Sequence, residues 1–176
     1  MGKKLRTAIV RLSRSKGVAR AIFKRLGVGH KVKVAKSLPM FGQRPPKGPP
    51  SAWVQRLPSG RYPANYRWAG KVYRGKMWTP ELQGKYPQGV RFTRDGFPDF
   101  GPYVHTNPST GRPVQVVFTN GFSGRSADFA KANRLFDPPD GYTWHHHQDG
   151  KTLQLIPTDL HEAIRHGGGI AKTGGR

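Results

Sequence analysis

Apolar and polar residues alternate informatively along four stretches of the chain. Residues 3–27, KKLRTAIVRLSRSKGVARAIFKRLG, set Leu5, Ala8, Ile9 and Leu12, then Val18, Ala21, Ile22 and Leu26, among basic side chains. That spacing predicts one or two short basic amphipathic helices, interrupted at Gly17. PVQVVF, 113–118, is β-branched and bounded by turn residues, so it predicts a strand. RSADFAKANRLF, 125–136, predicts a helix with Ser126 as N-cap and with Phe129, Ala132, Leu135 and Phe136 on one apolar face. DPPDG stops it.

The fourth stretch is YTWHHHQDGKTLQLIPTDLHEAIRHGGG. Tyr142 to His147 predicts a strand, and Asp149-Gly150 a two-residue hairpin turn. TLQLI, 152–156, alternates as a return strand should, and Pro157 ends it. Thr158, with Glu162 close behind, opens a short helix. The glycines at 167–169 place its last residue at Arg165 or His166. The unit is strand, turn, strand, helix.

Upstream the pattern is weaker. PMFGQRPPKGPP, 39–50, predicts a semi-extended linker. Residues 51–84 interleave Trp53, Tyr62, Tyr66, Trp68, Tyr73 and Trp78 with Arg56, Arg61, Arg67 and Arg74. These aromatics either cover a small loop-rich core or stack on a nucleic-acid strand. Asp95-Gly96 marks a turn. The expected fold is therefore α+β: a loop-rich domain over 51–176, preceded by a basic, proline-rich extension over 1–50.

Charge sharpens that division. All nine acids lie at Glu81 or later, while residues 1–80 carry 20 Lys and Arg; residues 81–176 carry 11. The net charge of +22 thus sits almost entirely in the first half, and a polyanion, most simply nucleic acid, is its natural partner. Residues 3–27 could equally lie on an anionic membrane surface or a protein. No apolar run approaches the roughly 20 residues that span a bilayer, so stable membrane insertion is not expected. No apolar stretch follows the basic N-terminus, so no signal peptide is expected either. The absence of cysteine excludes disulfides, zinc ribbons and thiol nucleophiles. Any metal would be held by histidine, carboxylate or water.

Five of the seven histidines fall inside the strand–turn–strand–helix unit. A hairpin packed on a helix brings the end of its first strand beside the helix's first turns. His145 or His146 would then face His161 across a gap that one divalent metal ion fills, with neutral imidazole as ligand. The neighbouring histidine is left free to take a proton from water attacking phosphorus. His30 and His105 have no spacing that supports a role.

WHHHQDGKTLQLIPTDLHEAIRHGGG resembles the WHH-type members of the HNH/endonuclease VII superfamily, the ββα-metal (His-Me finger) nucleases found in bacterial polymorphic toxins. KYPQGVRFTRDGFPDFGPY and RSADFAKAN resemble segments that precede the motif there. The resemblance spans about 85–169, with its ββα core at about 141–169, and leaves out 1–50. It implies that His145 binds metal, that His146 is the general base, and that His161 and His166 complete the ligand set. The last two are five residues apart rather than four. On a continuous helix they would diverge by roughly 140°. Both can meet one metal only if the helix breaks before His166; otherwise His166 would grip the phosphate.

Around that set, Arg125 at a helix start, Arg165 and His147 are candidates for phosphate or DNA, although His147 points opposite to His146 on a regular strand. Trp144 is expected in the core, and Gln154 to tie the hairpin by hydrogen bonding. The implied activity is metal-dependent endonucleolytic hydrolysis of DNA with little sequence specificity, using one divalent ion (Mg, Mn, Zn or Ni). The resemblance further implies an antibacterial toxin, exported by a specialised secretion system and acting in the cytoplasm of a target bacterium. An immunity protein would neutralise it in its producer, and the cationic surface suggests an acidic one. Two alternatives stand beside this: an RNase on the same site, and a non-enzymatic nucleic-acid-binding protein with a structural metal. A closed shell of four protein ligands would mark the latter.

Overall fold

A computed structural model describes residues 42–174. The basic amphipathic stretch at 3–27 and the first residues of the linker at 39–50 lie outside the described residues. The rest of that linker is bonded to the body, since Gly42 N and Gln43 N donate to the carbonyls of Gly75 and Arg74 at 3.2 and 2.7 Å.

The elements in chain order are α1 (Pro80–Lys85), β1 (Arg91–Phe92), β2 (Pro98–Asp99), β3 (Gln115–Val117), α2 (Arg125–Leu135), β4 (Tyr142–His146), β5 (Thr152–Pro157), α3 (Thr158–Ala163) and α4 (Gly168–Lys172). β1 and β2 form an antiparallel ribbon around the Asp95-Gly96 turn, and β3, β5 and β4 form an antiparallel sheet in that order. The fold is α+β, and β4–β5–α3 is the expected ββα core.

β5 is the central strand, which explains its burial. Leu153 and Leu155 face a core made with Val114, Val116, Ala132 and Trp144. Ile156 joins the other core, with Phe92, Phe100, Leu160, Ile164 and the aromatic residues Trp68, Tyr73, Trp78 and Tyr86. Because side chains alternate faces along a strand, the sheet separates two apolar cores. The intervening Thr152 and Gln154 are buried as well. Trp68, Tyr73 and Trp78 therefore cover the core, while Tyr62 and Tyr66 are half-buried and Trp53 remains 65% exposed.

The structure corrects several local expectations. Ser126 is not the N-cap of α2; Gly124 is, without a side-chain cap, and the Asp128 carboxylate instead accepts from the Ser123 and Gly124 N–H groups just before the helix. Leu135 is 72% exposed rather than core, at the last residue of the helix. The β4–β5 connection is longer than a two-residue hairpin. His147 N pairs with Thr152 O across it, and Asp149 organises the turn by accepting from Lys151 N, Thr152 N and the Thr152 hydroxyl. Thr158 does open α3, as its position implied. Its N–H bonds Gly141 O, while Asp159 Oδ1 accepts from Leu160 N.

The end of that helix is also revised. α3 stops at Ala163, with Ile164 extended at φ −115°, ψ 93°. The glycines do not terminate it; Gly168 and Gly169 open α4. They are there because this turn runs against the end of β4. A Cβ on Gly169 would stand 2.0 Å from the His147 carbonyl oxygen and 2.6 Å from the Phe122 ring.

Candidate active site

Alternation along β4 sends its two consecutive histidines to opposite faces. His145 pairs across the ladder with Gln154, and His146 with Leu153. Trp144 fixes this register: it is buried, and its indole N–H donates to Asn133 Oδ1 on α2 at 2.7 Å.

His145 enters the core that carries α3. There the helix break before His166 meets the condition set by the five-residue spacing, because the extended Ile164 turns the chain back. His166 Nδ1 lies 2.6 Å from the Ile164 carbonyl, which leaves Nε2 aimed at His145 Nδ1, 3.0 Å away. His161 comes from α3, whose first turn is tied down by Asp159. That carboxylate accepts from Lys85 Nζ and Tyr86 Oη, each at 2.7 Å. Candidate ligand nitrogens of His145, His161 and His166 all fall within 4.8 Å of one another. Phe100 packs against all three rings, at centroid distances of 4.9, 6.0 and 5.4 Å. No spacing rule would have found Phe100.

The electrostatics suit a metal. Burial, reinforced by the neighbouring histidines, holds His145 well below the usual imidazole range. Burial and the His166 and Arg125 charges push His161 down to about 4. Burial lowers His166 too, against the hydrogen bond from its ring to Ile164. Three neutral imidazoles therefore share one space. His145 Nε2 is buried without a hydrogen-bond partner among the described residues, an arrangement that is costly unless something is bound. The donor set fits a divalent transition metal, and three protein ligands leave it an open position.

His146 takes the other face, between Phe122 and Phe129, and its Nε2 lies 3.2 Å from Asp128 Oδ2. Asp128 is fully buried at the start of α2. Burial pushes its carboxyl up, but the Ser123 and Gly124 N–H groups, His146 and the Ser123 hydroxyl together hold it below the usual carboxylate range. It is ionised, so the imidazole nitrogen facing it carries the proton and the other ring nitrogen is the lone-pair site. Burial lowers His146, and Asp128 opposes that. The sequence reading missed Asp128. An acid in the first turn of a helix is ordinary, and only the tertiary pairing across 18 residues gives it a role.

A cavity of about 270 Å³ joins the two faces at the end of β4. Arg125, His145, His146, His161 and His166 line it, with Phe129. Arg125 thus stands where the sequence placed it, at a helix start facing the histidines. Arg165 is exposed and lines a different cavity. His147 is drawn into the turn instead: its Nδ1 accepts from Asp149 N at 3.3 Å, and it does not line the histidine cavity. Gln154 is buried opposite His145, but its side-chain carbonyl has no hydrogen-bond partner among the described residues, so the expected tie is not made through that oxygen.

Residues 133–176 match the family model described as WHH, a nuclease of the HNH/ENDO VII superfamily with conserved WHH. This segment is similar to the WHH nucleases. Its Trp144, His145 and His146 are the residues whose register and two-sided disposition are described above. The match begins at Asn133 and so excludes Asp128 and Arg125. No curated protein matches the chain. A WHH nuclease acts on nucleic acid with a divalent metal, and the His145–His161–His166 cluster is suited to hold one. Among the described residues no helix is long and apolar enough to cross a membrane.

Proposed function

We propose that the protein is a metal-dependent endonuclease that hydrolyses DNA with little sequence specificity, and that it serves as an antibacterial toxin. One observation carries the enzymatic part: three neutral imidazoles converge on one face of β4 while His146 is held by a buried carboxylate on the other, and both groups open into a single cavity. A divalent ion held by His145, His161 and His166 would offset charge on the scissile phosphate and the leaving oxygen.

The chain's own residues do the rest. His146, its Nε2–H directed at Asp128, accepts the proton of the attacking water at its other ring nitrogen. Asp128 fixes that tautomer and stabilises the imidazolium that forms. Arg125 presents positive charge to the phosphate at the mouth of the cavity. Phosphate contacts carry no sequence information, which favours weak specificity. The basic first half adds salt-sensitive affinity for the same polyanion. Three ligands rather than four argue against a structural metal.

The toxin reading draws on the resemblance and on charge. A chain of net charge +22 invites a fast-associating acidic immunity protein. Delivery would be by a specialised secretion system into the cytoplasm of a target bacterium.

The deciding experiment is nicking of supercoiled plasmid, run beside a structured RNA, with Mg, Mn, Ni, Zn or EDTA. Plasmid nicking that needs metal and disappears in His146→Ala is the expected result. Cleavage of RNA alone would move the activity to an RNase, and salt-sensitive DNA retention without cleavage would leave a binding protein.

A further inference from the structure

A second cavity, of about 600 Å³, is walled by Arg44, Lys76, Arg165, Trp68, Tyr73 and Met77. Its size falls within the roughly 300–1,000 Å³ of small-molecule sites. Its position is set by one contact: Asn65 Nδ2 donates to the carbonyl of Arg165 at 2.7 Å. Arg165 immediately precedes His166, so consecutive residues of the chain line this cavity and the histidine cavity.

The lining is chemically one-sided. It offers three cations and no carboxylate. Burial raises the Tyr73 hydroxyl, against the Met77 backbone and the Arg165 charge. Trp68 and Tyr73 pack edge to face at 5.4 Å. The Trp68 indole N–H is buried without a hydrogen-bond partner among the described residues. Met77, half-exposed, adds a polarisable thioether at the rim. The proline-rich stretch closes one side, where Gly42 and Gln43 bond to Gly75 and Arg74. A bare anion would use the cations and leave the apolar wall unused. A flat heterocycle bearing phosphate uses both.

We propose that this cavity is a nucleotide subsite, which holds the base and phosphate of a nucleotide neighbouring the bond cut at the histidine centre. The neighbouring-bond clause rests on the nuclease reading; binding of a nucleotide does not.

The test has two arms. In the first, the full chain in EDTA and about 0.15 M salt is titrated calorimetrically with thymidine 3′,5′-bisphosphate, deoxyribose 5-phosphate and inorganic phosphate. Saturable one-site binding of the bisphosphate, at least about tenfold tighter than the other two, is expected. Met77→Asp and Lys76→Glu, both at exposed positions, should each weaken it by about tenfold with the melting temperature unchanged. Equal binding of all three ligands, or wild-type binding by both variants, overturns the proposal.

In the second arm, single abasic residues are scanned through a DNA substrate. A loss of kcat/KM of roughly 5- to 150-fold, the worth of one stacked base, is expected at one position beside the cut and should vanish in Met77→Asp. A uniform response along the strand overturns the placement. Nucleotide binding by a chain that cuts nothing would retain the subsite and remove the nuclease.

Discussion

Replacing Asp128 by asparagine changes one oxygen to an amide nitrogen at a fully buried position. Two consequences can be separated. Oδ1 receives Ser123 N and Oγ, while Oδ2 faces Gly124 N and His146 Nε2 at 3.2 Å each. In either orientation of the amide, one backbone N–H faces an NH₂ group. That costs about 1–3 kcal/mol of stability, and roughly 2–4 °C in Tm for each kcal/mol in a domain of this size. The catalytic effect is larger. When His146 gains a proton, the anion that faced it is gone; unit charges about 4 Å apart at an effective dielectric of about 20 attract by ~4 kcal/mol. Discounted for relaxation around the site, this predicts a 10²- to 10³-fold fall in kcat, inside the 10²–10⁴ that a general base contributes. Asp128 favours protonated His146, so its removal lowers that pKa and moves the acidic limb of the kcat–pH profile to lower pH. Damage to packing alone would lower the plateau and leave the limb in place. Plasmid nicking under saturating metal, measured across pH, reads both. A variant that nicks within about threefold of wild type, or whose acidic limb does not move, would refute the assignment of His146 and Asp128 as base and positioning residue.

Other substitutions probe the remaining parts. His161→Ala should weaken metal binding itself, by 10-fold or more (about 1.4 kcal/mol), in a calorimetric titration with Zn or Ni, whereas His146→Ala should bind metal as wild type does. Gly169→Ala forces a methyl into the His147 carbonyl and the Phe122 ring, and should cost on the order of 1–3 kcal/mol in urea unfolding; an unchanged midpoint would show that α4 can move away freely. Asp149→Ala removes the acceptor of three hydrogen bonds in the β4–β5 turn and should cost about 1–3 kcal/mol. Burial raises the Asp149 carboxyl, but the Thr152 hydroxyl and the Lys151 and Thr152 N–H groups hold it below the usual range. Its contribution is therefore present above the unfolded value near 4 and lost as pH falls below it, and wild type and variant should converge in stability in acid.

What could be read in the sequence was what local chemistry encodes. The strand–turn–strand–helix unit followed from alternation, the Asp149-Gly150 turn and Pro157; its geometry brought His145 or His146 toward His161, and only the family resemblance chose His145. The inclusion of His166 hinged on where α3 ends, and glycine seemed the obvious stop. The break occurs instead at Ile164, where packing in the core overrides propensity, and the glycines serve close approach. Asp128 and Phe100 were invisible for another reason. Their roles arise from contacts with residues distant in the chain, and neither has an unusual neighbourhood. The aromatic stretch before α1 had no period at all, because its residues fill one core from irregular loops.

The plane of the β3–β5–β4 sheet runs between the two halves of the centre. The histidines proposed to hold metal sit against Phe100 and α3 on one side; the proposed base, His146, and Asp128 sit against Phe122, Phe129 and α2 on the other. The two meet only at the end of one strand. Under the proposed mechanism, metal preference and proton transfer are therefore separately adjustable, and a substitution that retunes one side need not disturb the packing that supports the other.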